Sequence, residues 1–169
     1  MSIRKRYVTA STILGVQSRL QSSKVQPSFN PAPDLKHETI ELDGGKVILE
    51  KDVAIAMRDG VKIYADIYRP AASIAERTPS LVFWSPFGKH GAVPRALFKN
   101  MGVDFEKLSP YTFFELPDPF LWCSQYNYSF VRVDPRGTWW SEGTEATFFS
   151  PQEGRDGYDV VEWAAQQPW

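Results

Sequence analysis

Two short loops hold the residues whose types and spacing lend themselves to chemistry. Ser85-Pro86-Phe87-Gly88 and Asp134-Pro135-Arg136-Gly137 each follow an apolar run that reads as a strand, and open α/β sheets place their ligands where strands give way to turns. Within the second loop Asp134 is expected to fix the turn, Gly137 to let the chain reverse, and Arg136 to pair locally. Trp139, Trp140 and Ser141 follow directly. General-base chemistry is thinly provided for, because the chain has only His37, in a charged stretch, and His90, which reads as a solvated loop residue. Cys123 is the single cysteine, so no intramolecular disulfide can form; beside Trp122 on a short apolar helix it reads as a buried small hydrophobe rather than a nucleophile. These ligands are too few for a structural zinc site, and no metal or other cofactor is expected.

The elements that must position those loops follow from periodicity and punctuation. Period-two alternation sets in from Lys46: Val53, Ile55 and Met57, then the turn chemistry of Arg58-Asp59-Gly60, then Ile63, Ala65 and Ile67 alternating with Tyr64, Asp66 and Tyr68 up to Pro70. This predicts an antiparallel pair. Ser80 to Trp84, apolar without alternation between Pro79 and Pro86, predicts a strand buried on both faces. The stretch from Gly88 to Pro117 has no sustained period and reads as an excursion with a short helix near Pro94 to Asn100; excursions of this length are usually functional or disordered. Asp118 and Pro119 mark the start of a helix from Phe120 to Tyr126 stopped near Asn127, and Ser129 to Asp134 is the next strand. Ser150-Pro151-Gln152-Glu153 is a capping box for a last helix, with Tyr158, Val161 and Ala165 on one face and a stop at Pro168. Gly154 and Gly157 weaken its first turns by roughly 1 kcal/mol each relative to Ala, which points to close backbone packing or a late start.

Composition sets outer limits. The 169 residues carry 19 Lys+Arg against 20 Asp+Glu, so no global field favours nucleic acid or an anionic membrane. With 43% hydrophobic residues there is material for one packed core, and no apolar run approaches the roughly 20 residues of a membrane span. Residues 1–33 contain five basic side chains and no acid, leaving 14 basic and 20 acidic side chains, a net charge of −6, from position 34 onward. That tail, rich in Ser, Gln and Arg, reads either as disordered or as a mitochondrial transit segment, ahead of a partial domain over 34–169. A reducing compartment, cytoplasmic or alternatively mitochondrial, is expected.

Four blocks carry a family resemblance. Arg58 to Pro70, Ser85-Pro86-Phe87-Gly88-Lys89, Val133 to Gly143, and Glu153 to Trp163 with Gln167-Pro168-Trp169 resemble, in that order, the amino-terminal half of the catalytic domain in X-prolyl dipeptidyl peptidase and cocaine-esterase-like serine hydrolases. The resemblance runs from about Lys51 to Trp169. It implies the amino-terminal half of an α/β-hydrolase sheet, an antiparallel hairpin followed by parallel strands with helices, incomplete here. It also implies cleavage of a small ester or peptide substrate through an acyl-enzyme, with serine, histidine and aspartate in the usual roles. The strand Ser129 to Asp134 would then insert between the hairpin and Ser80 to Trp84, leaving the latter with a bare edge prone to aggregation.

The departures shape the functional expectation. No Gly-x-Ser-x-Gly occurs in the sequence, and Ser141 follows Trp140 with Trp139 where an elbow needs Gly, so no catalytic residue is assigned. Phe87 stands where relatives often place a tyrosine whose hydroxyl helps hold the oxyanion. Two readings stand: Phe87 and Gly88 serve the oxyanion side through backbone N–H groups, or Phe87 packs at the strand end. Trp139 and Trp140 likewise either line an acyl pocket or pack their own loop. The expected function is a piece of a serine acyl hydrolase, inactive alone, the alternative being a non-catalytic, aromatic-rich interaction module.

Overall fold

The computed structural model describes residues 35, 37–144 and 149–169. The tail over 1–33 and its boundary at position 34 lie outside the described residues. Five strands form one sheet: β1 (Glu38–Leu42), β2 (Val47–Ala56), β3 (Lys62–Pro70), β4 (Ser80–Trp84) and β5 (Ser129–Asp134), in the spatial order β1-β2-β3-β5-β4. All neighbours run antiparallel except β4 and β5, which are parallel. The hairpin, the antiparallel-to-parallel change and the insertion of β5 between β3 and β4 follow the expectation. β1 was not anticipated: with Glu38 and Glu41 along five residues it lacks an apolar signature, and it pairs from Glu38↔Lys51 to Leu42↔Val47.

Among the described residues there are three α-helices, α1 (Arg95–Asn100), α2 (Pro119–Tyr126) and α3 (Pro151–Ala165), of which α2 and α3 pack on the sheet. The caps of α2 and α3 are those that the local chemistry dictates. The Asp118 carboxylate accepts the Phe120 N–H at 2.9 Å with Pro119 at the first helical position, and Asn127 closes α2 in the left-handed conformation at φ 57°. Ser150 Oγ accepts the Glu153 N–H at 3.1 Å, while Glu153 itself accepts from Phe149 N–H and, at 2.8 Å, from Trp84 Nε1.

Alternation along β3 and β5 splits the interior in two. Ile63, Ala65, Ile67, Val131 and Val133 pack with Val160, Ala164 and Trp169 under α3, and Tyr68 and Phe130 pack with Leu42, Leu49 and Cys123 under α2. Both faces of the sheet are therefore covered, and the polar members of the alternation, Asp66 and Arg132, are as buried as the apolar ones. The expected face of α3 is corrected: Tyr158 and Val161 are exposed, and the buried row is Asp156, Val160 and Ala164. Arg136 reaches the carboxylate of Asp156 at 2.7 Å, on the same face that Val160 and Ala164 turn to the core. Gly154 and Gly157 serve neither expected purpose, since α3 starts at Pro151 and an added Cβ would meet nothing within 4 Å at either position. Among the described residues no helix is long and apolar enough to cross a membrane.

Candidate functional site

Because β4 and β5 are parallel, the loops that leave them emerge from the same end of the sheet, and antiparallel β3 brings its Lys62–Tyr64 end there too. The two loops touch. Gly88 adopts φ +69°, and a Cβ there would fall 2.2 Å from Trp139 Nε1 and 2.7 Å from Asp134 Oδ1, so only glycine fits. The next amide, Lys89 N–H, donates to Asp134 Oδ1 at 2.8 Å. The sequence assigns Asp134 only to its own turn; its carboxylate clamps the neighbouring loop. Gly137 takes φ +68°.

Lys89 carries the electrostatics. Its side chain is 1% exposed and its ammonium binds Asp52, Asp66 at 2.9 Å and Asp134 at 3.9 Å. Placing a charge in so dry a site is costly unless it is paired, and three carboxylates do the pairing. Burial works against ionisation of Asp66, but the Lys89 ammonium and the His90 hydrogen bond outweigh it and hold the carboxyl well below its usual range. Asp134, farther from the ammonium, is pushed up to about 6 by burial, which Lys89 only partly offsets. Burial likewise opposes the charge on Lys89, and the three carboxylates reverse that and raise its pKa. His90 is bound, not merely solvated as its loop position implied: Nε2 lies 2.7 Å from Asp66 Oδ2 and its ring sits edge-on to Phe113, although 41% of the side chain stays exposed. His37 is remote, 3.3 Å from Glu50.

Asp52 shows what assembling this cluster costs the backbone. It sits at φ +54° in a bulge that interrupts the β2–β3 register between Glu50 and Val53. The bulge turns the Asp52 N–H onto Asp66 Oδ1 at 3.0 Å and its carboxylate onto Lys89. Among the described residues no group of three His, Cys, Asp or Glu is arranged to hold a metal ion; the position where the carboxylates converge is filled by the ammonium.

The remaining site residues are placed as follows. Phe87 packs edge-on against Phe114 with ring centroids 4.7 Å apart, and its N–H donates to Ser85 Oγ at 3.2 Å. The Gly88 N–H donates to the Ser85 carbonyl at 3.0 Å. Trp139 takes φ +50° against Gly88, and Trp140 is 39% exposed. The expected local pairing of Arg136 is corrected: its guanidinium grips Asp156 on α3 and Asp59 in the β2–β3 turn, because the fold brings both carboxylates to this end of the sheet. Ser141 is a buried staple, donating to the Asp134 carbonyl at 2.6 Å and accepting the Tyr64 N–H at 2.9 Å. Cys123 is buried, and burial pushes its thiol up to about 12, which removes it as a nucleophile.

Sequence reasoning missed Asp52, Asp66 and the part played by Lys89. The available signal was an aspartate between Ile55-type alternation and Lys51, and another in the middle of an apolar strand; neither alone says what it pairs with.

Comparison with known proteins bears on this geometry. Residues 59–169 match the family described as X-Pro dipeptidyl-peptidase (S15 family). A candidate serine esterase of Mycobacterium bovis and another of Mycobacterium tuberculosis are each 29% identical over 122 residues, covering 68% of this chain and 18% of theirs. The crystal structure of a CocE/NonD family hydrolase from Staphylococcus aureus, in two determinations, is similar with a TM-score of 0.57 and 29% identity, over 85% of this chain and 26% or 27% of that one. The chain spans 18% of the length of these curated relatives.

Proposed function

Because the chain belongs to the X-Pro dipeptidyl-peptidase (S15) family, we infer that it builds one wall of a serine acyl-hydrolase site, at the end of the sheet where β4 and β5 deliver their loops. The substrate is a small ester or a peptide, including X-Pro dipeptidyl bonds. The observation that carries this reading is the interlock of the two loops, Gly88 against Trp139 and Lys89 N–H on Asp134. It sits where open α/β sheets bind ligands.

The wall has an oxyanion side and an acyl side. Phe87 contributes no hydroxyl, so the oxyanion side falls to backbone N–H groups, and an arriving oxyanion competes with Ser85 for the Phe87 N–H. Trp140, partly exposed, and Trp139 form the acyl side. The attacking serine lies outside this sequence. No Gly-x-Ser-x-Gly occurs in it, and the two serines beside the loops are bound elsewhere, Ser141 to backbone and Ser85 to Glu115 at 3.3 Å. Loss of a triad nucleophile costs on the order of 10⁶ in kcat.

Two measurements test the reading. The purified chain should neither take up a fluorophosphonate probe nor turn over p-nitrophenyl acetate above the protein-free rate; stoichiometric labelling would show an activated serine and defeat the assignment. A chimera of the Staphylococcus aureus hydrolase carrying residues 59–169 of this chain in place of its matching segment should label, whereas a folded chimera that stays unlabelled would remove the wall from the hydrolase site.

A further inference from the structure

We propose that the turn over 113–116, late in the long excursion, holds the oxyanion side of the wall in place, with Glu115 and Phe114 as positioning residues that act through Ser85 and Phe87. This rests on the assignment of the site above and names what sets its geometry. Both amides of the oxyanion side are tied to one residue. Phe87 N–H donates to Ser85 Oγ at 3.2 Å, and Gly88 N–H donates to the Ser85 carbonyl at 3.0 Å. A hydroxyl has one proton to give, and where it gives it decides where its lone pairs point. Ser85, 3% exposed, gives its proton to Glu115 Oε2 at 3.3 Å, which leaves its lone pairs for the Phe87 N–H.

Glu115 makes that contact at a cost to its backbone. It takes φ +58°, a conformation in which glycine alone escapes the clash of Cβ with the main chain. Such an outlier persists only where its surroundings over-determine it. Here they do: Leu116 N–H donates to the Phe113 carbonyl at 3.1 Å, and the carbonyls that flank the turn, those of Tyr111 and Pro117, both accept from Arg132 on β5. Arg132 is 0% exposed, and its guanidinium lies 5.6 Å from the Phe113 ring. One buried cation therefore pins both ends of the turn to the strand that carries the second loop.

Phe114 grips the same loop farther along. Its N–H donates to the Gly91 carbonyl at 3.0 Å, and its ring meets Phe87 edge-on with centroids 4.7 Å apart. A Cβ at Gly91 would fall 2.9 Å from Phe87 Cβ and 3.6 Å from Phe114 Cβ, so turn and loop close on each other because residue 91 has no side chain. The loop over 85–91 is thus held at its start by Glu115, at its end by the Phe114 amide, and between them by the Phe87 ring. Phe87 carries no hydroxyl to aim, and its ring instead serves as the handle by which its own N–H is aimed. Donors fixed in this way need no reorganisation when charge develops on a substrate oxygen.

Amide hydrogen exchange of the purified chain, followed residue by residue by NMR, tests this. Glu115→Gly suits the left-handed φ and removes the carboxylate; it should speed exchange of the Phe87 N–H about tenfold, the effect of one hydrogen bond, while Lys89 N–H, which Asp134 holds, keeps its rate. Glu115→Gln retains an acceptor oxygen and should restore the parent rate. Phe114→Ala should speed exchange at Phe87 and Gly88 together. In the chimera described above, Glu115→Gly should slow fluorophosphonate labelling about tenfold or more, and Glu115→Gln should recover it. Exchange indifferent to Glu115→Gly, a rise shared by Lys89 N–H, a glutamine that restores nothing, or a labelled chimera indifferent to Glu115→Gly would each overturn the proposal. A folded parent chimera that stays unlabelled would instead defeat the site assignment, and exchange in the chain itself would still decide whether the turn holds the loop.

Discussion

Lys89 stands or falls with its carboxylates. Replacing it with methionine keeps the volume but leaves Asp52, Asp66 and Asp134 facing one another in a dry site, and should cost about 3–5 kcal/mol in urea denaturation; a loss under about 1 kcal/mol would mean that the cluster is not held by charge. Asp134 makes a separate statement through pH. Its folded pKa, about 6, lies above the ordinary 3.8, so the folded chain binds this proton more tightly than the unfolded chain does. The stability it contributes is fully present below about pH 4 and is lost as pH rises through 6. Asp66 has the opposite sign: its depressed pKa gives stability above 3.8 that is lost only as pH falls below that. Between pH 5 and 7, then, the Asp66 contribution is flat and the Asp134 contribution declines. The midpoint of urea unfolding measured at pH 5, 6 and 7 should fall less steeply in Asp134→Asn than in the parent, and identical slopes would contradict the shift.

At the scale of elements, one arginine joins three. Arg136 leaves β5, holds the hairpin turn at Asp59 with 2.9 Å and α3 at Asp156 with 2.7 Å, and its aliphatic stem lies against Gly143. Lysine cannot make the paired Nε and Nη2 contacts to Asp156, so Arg136→Lys should lower stability by roughly 1–3 kcal/mol although the charge is kept. Thermal melts of Arg136→Lys and Asp156→Asn, singly and together, check this: a double variant that loses the plain sum of the two would show that the contact carries no coupling. The same contact explains why α3 presents Asp156 inward and Tyr158 outward. The apolar stripe on that face is short, Val160, Trp163 and Ala164, and Asp156 one turn earlier is buried through a charged pair that its own element does not reveal.

For the whole molecule, burial is deepest where β3 and β5 meet and thinnest at β1 and α1. Native-state hydrogen exchange should release the amides of Glu38–Leu42 and Arg95–Asn100 first and those of Ile67 and Val131 last; early exchange in β3 would contradict the layered core. Much of this architecture was legible in the sequence. The turn at Arg58-Asp59-Gly60, the Pro-bounded strand at Ser80 to Trp84 and the caps at Asp118 and Ser150 are written in residues a few positions apart, and their hydrogen bonds close over the same short distance. β1 escaped because an edge strand needs no apolar alternation. The cluster around Lys89 escaped for a different reason: a strand's period says which residues share a face, while whether that face is wet or dry depends on what packs over it. Only when α2 and the 85–118 excursion cover the second face does Asp66 become 0% exposed and require a cation. The extents of β2 to β5 and their turns thus belonged to the sequence through local geometry, with the insertion of β5 beside β4 implied by the family resemblance, and the pairing of Asp52, Asp66, Asp134 and Arg136 belonged to the tertiary structure, because charge partners are chosen by burial among residues that the chain itself keeps far apart.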